Sequence, residues 1–436
     1  MNNNAKKIVV VGGGFAGINL VRKLSKYSSY DVTLVDKNNY NFFPPLVYQV
    51  ATGFLENSNI SYPFRKLFRD KNIRFRMGTV LSVITEHNTL VLDTGDIPYD
   101  YLVFATGTET NYFGLENVKA NAIPMKTLDD ALLMRNILLE RLEKATITQD
   151  LAEKNRLLTV VIAGGGPTGV EISGMLAELR RSTVRREYPE LKGSRFNIYL
   201  VNGGGELLSP MSIKSQQYTL ASLERLGVNI LLNTRVTDFK DSKVYLGSGE
   251  TIEAETLIWA SGVRAMSFDG IPKEVYNGGN RMIVDRFNQV KGMDNIYALG
   301  DTCLVTGDPD YPEGHPQLAQ VAIQQGENLA ENFMNTLRGK PLQPFQYHDK
   351  GTMAIIGRNK AVADIPFNNI HFQGFIAWCA WLFVHLMSLL NYRNRIKTLY
   401  NWSVAYFTKD NSLRMIIRPR RNRFNLVNDL HFFNKD

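Results

Sequence analysis

Cysteine is almost missing from this chain. Only Cys303 and Cys379 occur among 436 residues, in neither a C-x-x-C pair nor a zinc-ligand spacing. A disulfide scaffold, a structural zinc site and a dithiol redox enzyme are therefore disfavoured, and no metal centre is expected. Long apolar runs are scarce as well. The stretch from Phe375 to Leu390 is shorter than the roughly 20 residues a spanning helix needs, and it contains His385, so no transmembrane span is expected. A leader peptide is not expected either, because MNNNAKK passes at once into a strand whose removal would destroy the motif described next. The expectation is a cytoplasmic protein.

What is present is ordinary for a globular protein. Hydrophobic residues make up 44% and charged residues 21%, which argues against wholesale disorder, and the length calls for two or three domains. The net charge of +8 admits nucleic acid or an anionic membrane as a partner, and the placement of the charge decides between them.

The chain is organised around Lys7 to Asp36, which reads as a complete βαβ nucleotide site. Ile8 to Val11 is a β-branched run suited to a parallel strand covered on both faces. Gly12, Gly14 and Gly17 follow as G-x-G-x-x-G. The first permits the tight turn, the second lets a pyrophosphate approach the backbone, and the third lets helix lie on strand. A second strand, Val32 to Val35, ends in Asp36, whose carboxylate can accept hydrogen bonds from an adenosine ribose.

The next segment, NNYNFFPPLVYQVATGFLE, is aromatic and interrupted by Pro44 and Pro45. It suits a loop over a flat ring better than a helix or strand, with a hydrophobic connector packed on the core as the plainer reading. Strands are expected near Ile73 to Phe75, Val80 to Ile84 and Tyr101 to Ala105, the last running into Thr106 and Gly107. One long helix is expected over Thr127 to Glu153. Leu158 to Ala163 is again a buried strand, and Gly164, Gly166 and Gly169 repeat the glycine pattern. Two dinucleotide loops in one chain point to two nucleotides held face to face for electron exchange. The strand after the second loop, Phe196 to Val201, ends at Asn202 where an NAD-preferring site places Asp or Glu. No arginine adjoins it in sequence to meet a 2′-phosphate. NADH is expected, with NADPH left open. Glu171 stands in the first turn of the second helix, either as a stabiliser of the helix N-terminus or as a polar group beside the nicotinamide or the second substrate.

Later, Asn295 to Asp301 reads as a strand stopping at Gly-Asp, where the acid can bond a ribityl chain. A helix over Pro316 to Arg338 carries Gln320 and Gln324 on one face. From Gly374 an aromatic, apolar segment with Trp378 and Trp381 leads to Arg393, Arg395 and Lys397, then NWSVAYF and RMIIRPRRNRF. This pattern fits an in-plane helix on anionic lipid better than nucleic-acid recognition, so no nucleic-acid partner is expected.

Taken together, VVVGGGFAGINL, FFPPLVYQVATG, VFATGTETNYFG, IAGGGPTGVE, IYALGD, AQVAIQQG, DKGTMAIIG and the aromatic tail resemble the type II NADH dehydrogenases, flavoproteins with two dinucleotide-binding domains. The resemblance covers almost the whole chain. It implies an α/β fold of two Rossmann-like, glutathione-reductase-like domains with a C-terminal amphipathic membrane-anchoring region. It divides the chain into 1–112 and 276–345 for FAD, 113–275 for NAD(P)H, and 346–436 for membrane association and dimerisation. Gly12, Gly14, Phe15, Ala16, Gly17, Asp36 and Lys37 would hold the FAD adenosine diphosphate, with Gln49, Val80, Ala105, Thr106 and Gly107 lining the cofactor and Asp301 at its ribityl or pyrophosphate. Gly164, Gly166, Thr168 and Gly169 would bind NADH. Glu171, Gln320, Gln324 and Lys350 would be the catalytic group, near the flavin where nicotinamide and quinone meet it.

The activity so implied is non-proton-pumping NADH:quinone oxidoreduction, by a homodimer seated peripherally on the cytoplasmic face of the membrane and using menaquinone or ubiquinone. Sulfide:quinone oxidoreductase shares the superfamily but depends on redox cysteines that this chain lacks. A flavoprotein used for redox sensing or binding is the contrasting class.

Overall fold

The computed structural model describes residues 5–367, 370–408 and 413–417. Two five-stranded parallel sheets form its frame, alike in their four inner and glycine-side strands and different in the chain position of the outer edge strand. In the first, the order is Ile296–Ala298, Tyr101–Phe104, Lys6–Val11, Tyr30–Asp36, Ile73–Met77. In the second it is Ile123–Pro124, Thr256–Trp259, Thr159–Ala163, Asn197–Val201, Asn229–Leu231. Each glycine loop leaves its central strand at the carboxyl end, where ligands bind in open α/β sheets. The chain makes the second sheet as an excursion and returns to the first through Ile296–Ala298, which is how Asp301 comes home to the first unit.

Burial explains the strand sequences. Ile8 to Val11 and Val160 to Ala163 are buried throughout, as runs without alternation require. The helix Phe15–Leu24 packs on Ala319–Leu337, and the close crossing depends on Gly326, where a Cβ would fall on the backbone of Ala16. Gly174 serves likewise, letting the second nucleotide helix, Pro167–Leu179, lie against the backbone of Ile356 in a C-terminal antiparallel sheet.

Two expectations need correcting. The helix expected over Thr127 to Glu153 is two, Leu128–Ile147 and Leu151–Leu157. Asp150 accepts a hydrogen bond from the Ala152 amide and starts the second one afresh, a cap signal stronger than the continuing periodicity. The proline-bearing aromatic segment is not a plain loop. It forms a strand at Tyr40–Phe42, a 3₁₀ turn at Pro44–Leu46 and a short helix at Val47–Ala51, whose Val47, Tyr48, Gln49, Val50 and Ala51 are all buried. The connector reading was the better one.

The C-terminal helices, Phe375–Ser388 and Tyr392–Thr408, lie partly inside the molecule. Ala377 and Trp381 belong to the largest core cluster, while Phe383, Tyr400 and Phe407 are 65%, 67% and 81% exposed. No helix among the described residues is long and apolar enough to cross a membrane. The basic run from Arg418 onward lies outside the described residues.

Candidate functional site

At the first loop Gly12 has φ +101°, a conformation costly for side-chain-bearing residues, and a Cβ there would collide with the Ala105 carbonyl. A Cβ at Gly17 would collide with the Gly12 carbonyl, whereas at Gly14 it would meet nothing within 4 Å. The loop is thus closed on its protein side and open on the side a pyrophosphate would take. Asp36 shapes it from the next strand. Its Oδ2 accepts the Gly13 amide at 2.7 Å and its Oδ1 the Asn38 amide at 2.8 Å. Burial pushes this carboxyl up, and those bonds and Lys37 oppose the shift. Lone pairs remain for ribose hydroxyls. Gly78, two residues before Val80, donates to the Asp36 carbonyl at 3.0 Å, which sets Val80 beside this end of the site. Phe15 stands edge-on to Phe43, with ring centroids 5.6 Å apart.

The returning strand closes the far end. Thr106 and Thr302 hydroxyls are 3.0 Å apart, tying the two halves of the unit together, and Gly107 is open. Burial raises the Asp301 carboxyl, opposed by Lys126, Arg281 and a hydrogen bond from Thr108. Lys126 Nζ donates to Thr108 at 2.6 Å; Arg281 donates to the carbonyls of Cys303 and His315 at 2.7 and 3.1 Å. Open glycines beside buried acceptors, with cations in support, fit the FAD expected here.

The second loop repeats the first. Gly164 has φ +114°, Gly169 sits against Gly164, and Gly166 is open. Thr168 lies half-buried in the first turn of the following helix. Asn202 takes the place of Asp36, its Oδ1 accepting the Gly165 amide at 2.9 Å. Its amide nitrogen is turned back on its own loop, donating to the carbonyls of Gly204 and Glu206 at 3.2 and 2.8 Å. The expectation that no arginine stands nearby holds in sequence but not in space. Thr234 donates to the Asn202 carbonyl at 2.9 Å, and this brings Arg235 against Gly203, where a Cβ would fall 2.8 Å from Arg235 Cγ.

Glu171 is the fifth residue of its helix and not in the first turn, which contains no acid. It is 8% exposed, and burial pushes its carboxyl well above the usual carboxylate range. Among the described residues its one hydrogen bond is long, the Ile355 amide donating to Oε1 at 3.5 Å. Helix-end stabilisation therefore does not account for it. Tyr48 of the aromatic segment is the charged-form neighbour that Glu171 influences, and its hydroxyl is likewise driven up by burial first and by Glu171 second. Gln49 beside it donates to the Tyr48 hydroxyl at 3.2 Å and accepts from the Trp402 indole at 2.7 Å. The second nucleotide helix, the first unit's aromatic segment and the C-terminal helix Tyr392–Thr408 thus meet here.

Gln320 and Gln324 do share a face, and both amides are engaged with backbone. Gln324 accepts the His348 amide and donates to the His348 carbonyl, each at 2.9 Å. Gln320 accepts the Lys350 amide at 3.0 Å and donates to the Gly351 carbonyl at 3.2 Å. They hold segment 348–351 as a neighbouring strand would. The Lys350 side chain is exposed, and no hydrogen bond joins it to Glu171 or Asp301. Sequence reasoning missed Tyr48, Lys126, Arg235, Arg281 and Trp402 as site residues. Only the aromatic density around Tyr48 and Trp402 offered a signal.

Among the described residues no group of His, Cys, Asp and Glu could hold a metal ion. Cys303 is buried and Cys379 exposed, both as free thiols. Residues 6–326 match the model of the pyridine nucleotide-disulphide oxidoreductase family, and residues 349–410 match that of the NDH2 C-terminal domain. The type II NADH:quinone oxidoreductase NdhA of Mycobacterium tuberculosis is 34% identical over 92% of this chain and 87% of its own. The Haemophilus influenzae type II NADH:quinone oxidoreductase is 29% identical over 88% of this chain and 93% of its own. In fold, the chain resembles the structure of NDH2 from Plasmodium falciparum in complex with NADH, with a TM-score of 0.86 at 24% identity, covering 95% of this chain and 100% of that one.

Proposed function

Because this chain belongs to the type II NADH:quinone oxidoreductases, within the pyridine nucleotide-disulphide oxidoreductase family, we propose the following division of labour among its residues. The protein is an FAD-dependent NADH:quinone oxidoreductase that pumps no protons. FAD held by these residues would supply the redox chemistry, as hydride acceptor for NADH and two-electron donor to a quinone. The chain's own residues bind, orient and exclude water.

Gly12, Gly14, Gly17 and Asp36 hold the adenosine diphosphate end, and Thr106, Gly107 and Asp301 receive the ribityl end. Lys126 and Arg281 keep Asp301 an acceptor by offsetting the cost of its burial. Gly164, Gly166 and Gly169 carry the nicotinamide dinucleotide. Glu171, buried between that loop and Tyr48, holds a proton at its carboxyl where the two units meet. Gln320 and Gln324 set segment 348–351, and through it Lys350, beside the cofactor. The juxtaposition of Glu171 with Tyr48 is what carries this reading, since it joins the second nucleotide helix to the first unit's aromatic segment.

The domain division 1–112, 113–275, 276–345 and 346–436 is part of this proposal, as are the homodimer and peripheral attachment at the cytoplasmic face. The apolar side chains left exposed along the two C-terminal helices support attachment: Phe375, Phe383, Tyr400 and Phe407 would enter the lipid, with Arg393 and Lys397 at the headgroups. A lipid seat suits a quinone acceptor.

Anaerobic stopped-flow mixing tests the reaction. NADH should bleach the flavin absorbance, and a quinone added afterwards should restore it. Bleaching without restoration would favour the redox-sensing class, and absence of bleaching would end the enzyme reading.

A further inference from the structure

The adenosine end of the second nucleotide site lacks the acid that discriminates against a 2′-phosphate, and three independent features there suit such a phosphate. Asn202 is neutral, and its amide nitrogen is committed to the carbonyls of Gly204 and Glu206, so it offers a ribose hydroxyl less than a carboxylate would. Arg235 packs on Gly203, a Cβ at Gly203 falling 2.8 Å from its Cγ and 3.0 Å from its Nε. Its side chain is exposed and makes no ion pair among the described residues. The loop itself is Gly203-Gly204-Gly205, and none of its three amides donates to an acceptor among the described residues. Exposed N–H groups flanked by no side chains are available as donors to a phosphate. A guanidinium adds the planar fork that matches phosphate oxygens.

We propose that this chain oxidises NADPH as well as NADH, with the 2′-phosphate held between Arg235 and the amides of Gly203 to Gly205. The proposal rests on the NADH-oxidising reading above and extends it to 2′-phosphorylated dinucleotides. Glu206 is the loop's one acid. It is exposed, and its backbone carbonyl accepts the Asn202 side-chain amide.

Two measurements on the FAD-loaded protein test this. In the first, calorimetric titration of the oxidised protein compares 2′,5′-ADP with 5′-ADP, with no turnover involved. The 2′-phosphorylated compound should bind at least about tenfold more tightly, and its advantage should shrink as salt is raised. In the second, flavin bleaching by NADPH and by NADH gives the ratio of their kcat/KM values. Arg235→Ala should lower that ratio at least about tenfold, Arg235→Lys should lower it less, and Asn202→Glu should lower it by placing a like charge beside the phosphate.

Tighter binding of 5′-ADP than of 2′,5′-ADP overturns the proposal, as does bleaching by NADH without bleaching by NADPH. An Arg235→Ala variant that slows both nucleotides alike also overturns it. Failure of NADH itself to bleach the flavin would instead refute the underlying oxidoreductase reading, and the calorimetric comparison still decides the phosphate site.

Discussion

The indole nitrogen of Trp402 lies 2.7 Å from Oε1 of Gln49, so a helix bearing exposed apolar side chains is bonded directly to the segment that faces Glu171. Gln49 is 4% exposed and its other amide atom serves the Tyr48 hydroxyl. Losing the indole donor leaves a buried acceptor without a partner, which costs roughly 1–3 kcal/mol. Trp402→Phe should therefore lower stability by about that amount in chemical denaturation. It should also slow reoxidation of the flavin by quinone several-fold more than it slows bleaching by NADH. Equal slowing of both half-reactions would show that Trp402 acts only through stability.

Glu171 gives a pH-dependent prediction. Its carboxyl is raised above the unfolded value by burial, and Tyr48 is an ionisable neighbour that it influences. A raised folded pKa means that its stabilising contribution is complete below the unfolded value near 4.5 and is lost as pH rises through the folded value. Glu171→Gln, always neutral, should match wild type at pH near 4.5 and exceed it increasingly as pH rises, by roughly 1–3 kcal/mol. Thermal melts across that range are the measurement. A constant difference at every pH would place the charge of Glu171 in contact with a compensating cation.

Much of this arrangement was legible in the sequence, for a physical reason. Glycines that permit close approach, and acids at strand ends, act locally and at fixed spacing, so Gly12, Asp36, Gly164 and Asp301 could be singled out as candidates from sequence alone. Arg235 could not, since its place beside Gly203 depends on the register by which Thr234 bonds Asn202. The same holds for Trp402 and Lys126, which reach the site from distant segments. Glu171 was misplaced by one turn because the helix start is set by Gly166, and a residue's direction changes by about 100° per position.

The two glutamines make a prediction about order. Gln324 bonds both backbone groups of His348, and Gln320 bonds Lys350 and Gly351, so each substitution removes two bonds from one short segment. Gln324→Leu should speed amide exchange at His348 and Gln320→Leu at Lys350, each by about tenfold or more, and the pair together should raise the KM for quinone. Unchanged exchange with a raised KM would instead assign the glutamines to direct contact with the quinone.

His385 should make the C-terminal helices sensitive to acid. It stacks on Trp381 with ring centroids 3.8 Å apart, donates through Nδ1 to the Trp381 carbonyl at 2.8 Å, and burial pushes its pKa down to about 4. A depressed pKa means the contribution is present above 6.5 and lost as pH falls toward 4. The full shift corresponds to about 3 kcal/mol, a ceiling because the ring keeps some surface. Wild type should lose stability between those pH values, and His385→Gln should lose less. Tryptophan fluorescence would follow the transition, and identical acid profiles would refute the role of His385.

Membrane attachment is best tested without deleting the tail. Ala377 and Trp381 are fully buried in the main core, so truncation after Gln373 is expected to uncover that core and unfold the protein. Phe383, Tyr400 and Phe407, by contrast, are 65%, 67% and 81% exposed, so replacing all three with serine removes apolar surface that the folded core does not use. Exposed substitutions of this kind change stability by about 0.5 kcal/mol or less each. Burying one such ring in lipid is worth about 1.5–3 kcal/mol when complete, so the triple variant should partition onto anionic vesicles at least about 100-fold less. Bleaching by NADH and reoxidation by a water-soluble acceptor should persist, because those steps occur away from the exposed face. Wild-type sedimentation of the triple variant with vesicles would show that this face does not meet the membrane.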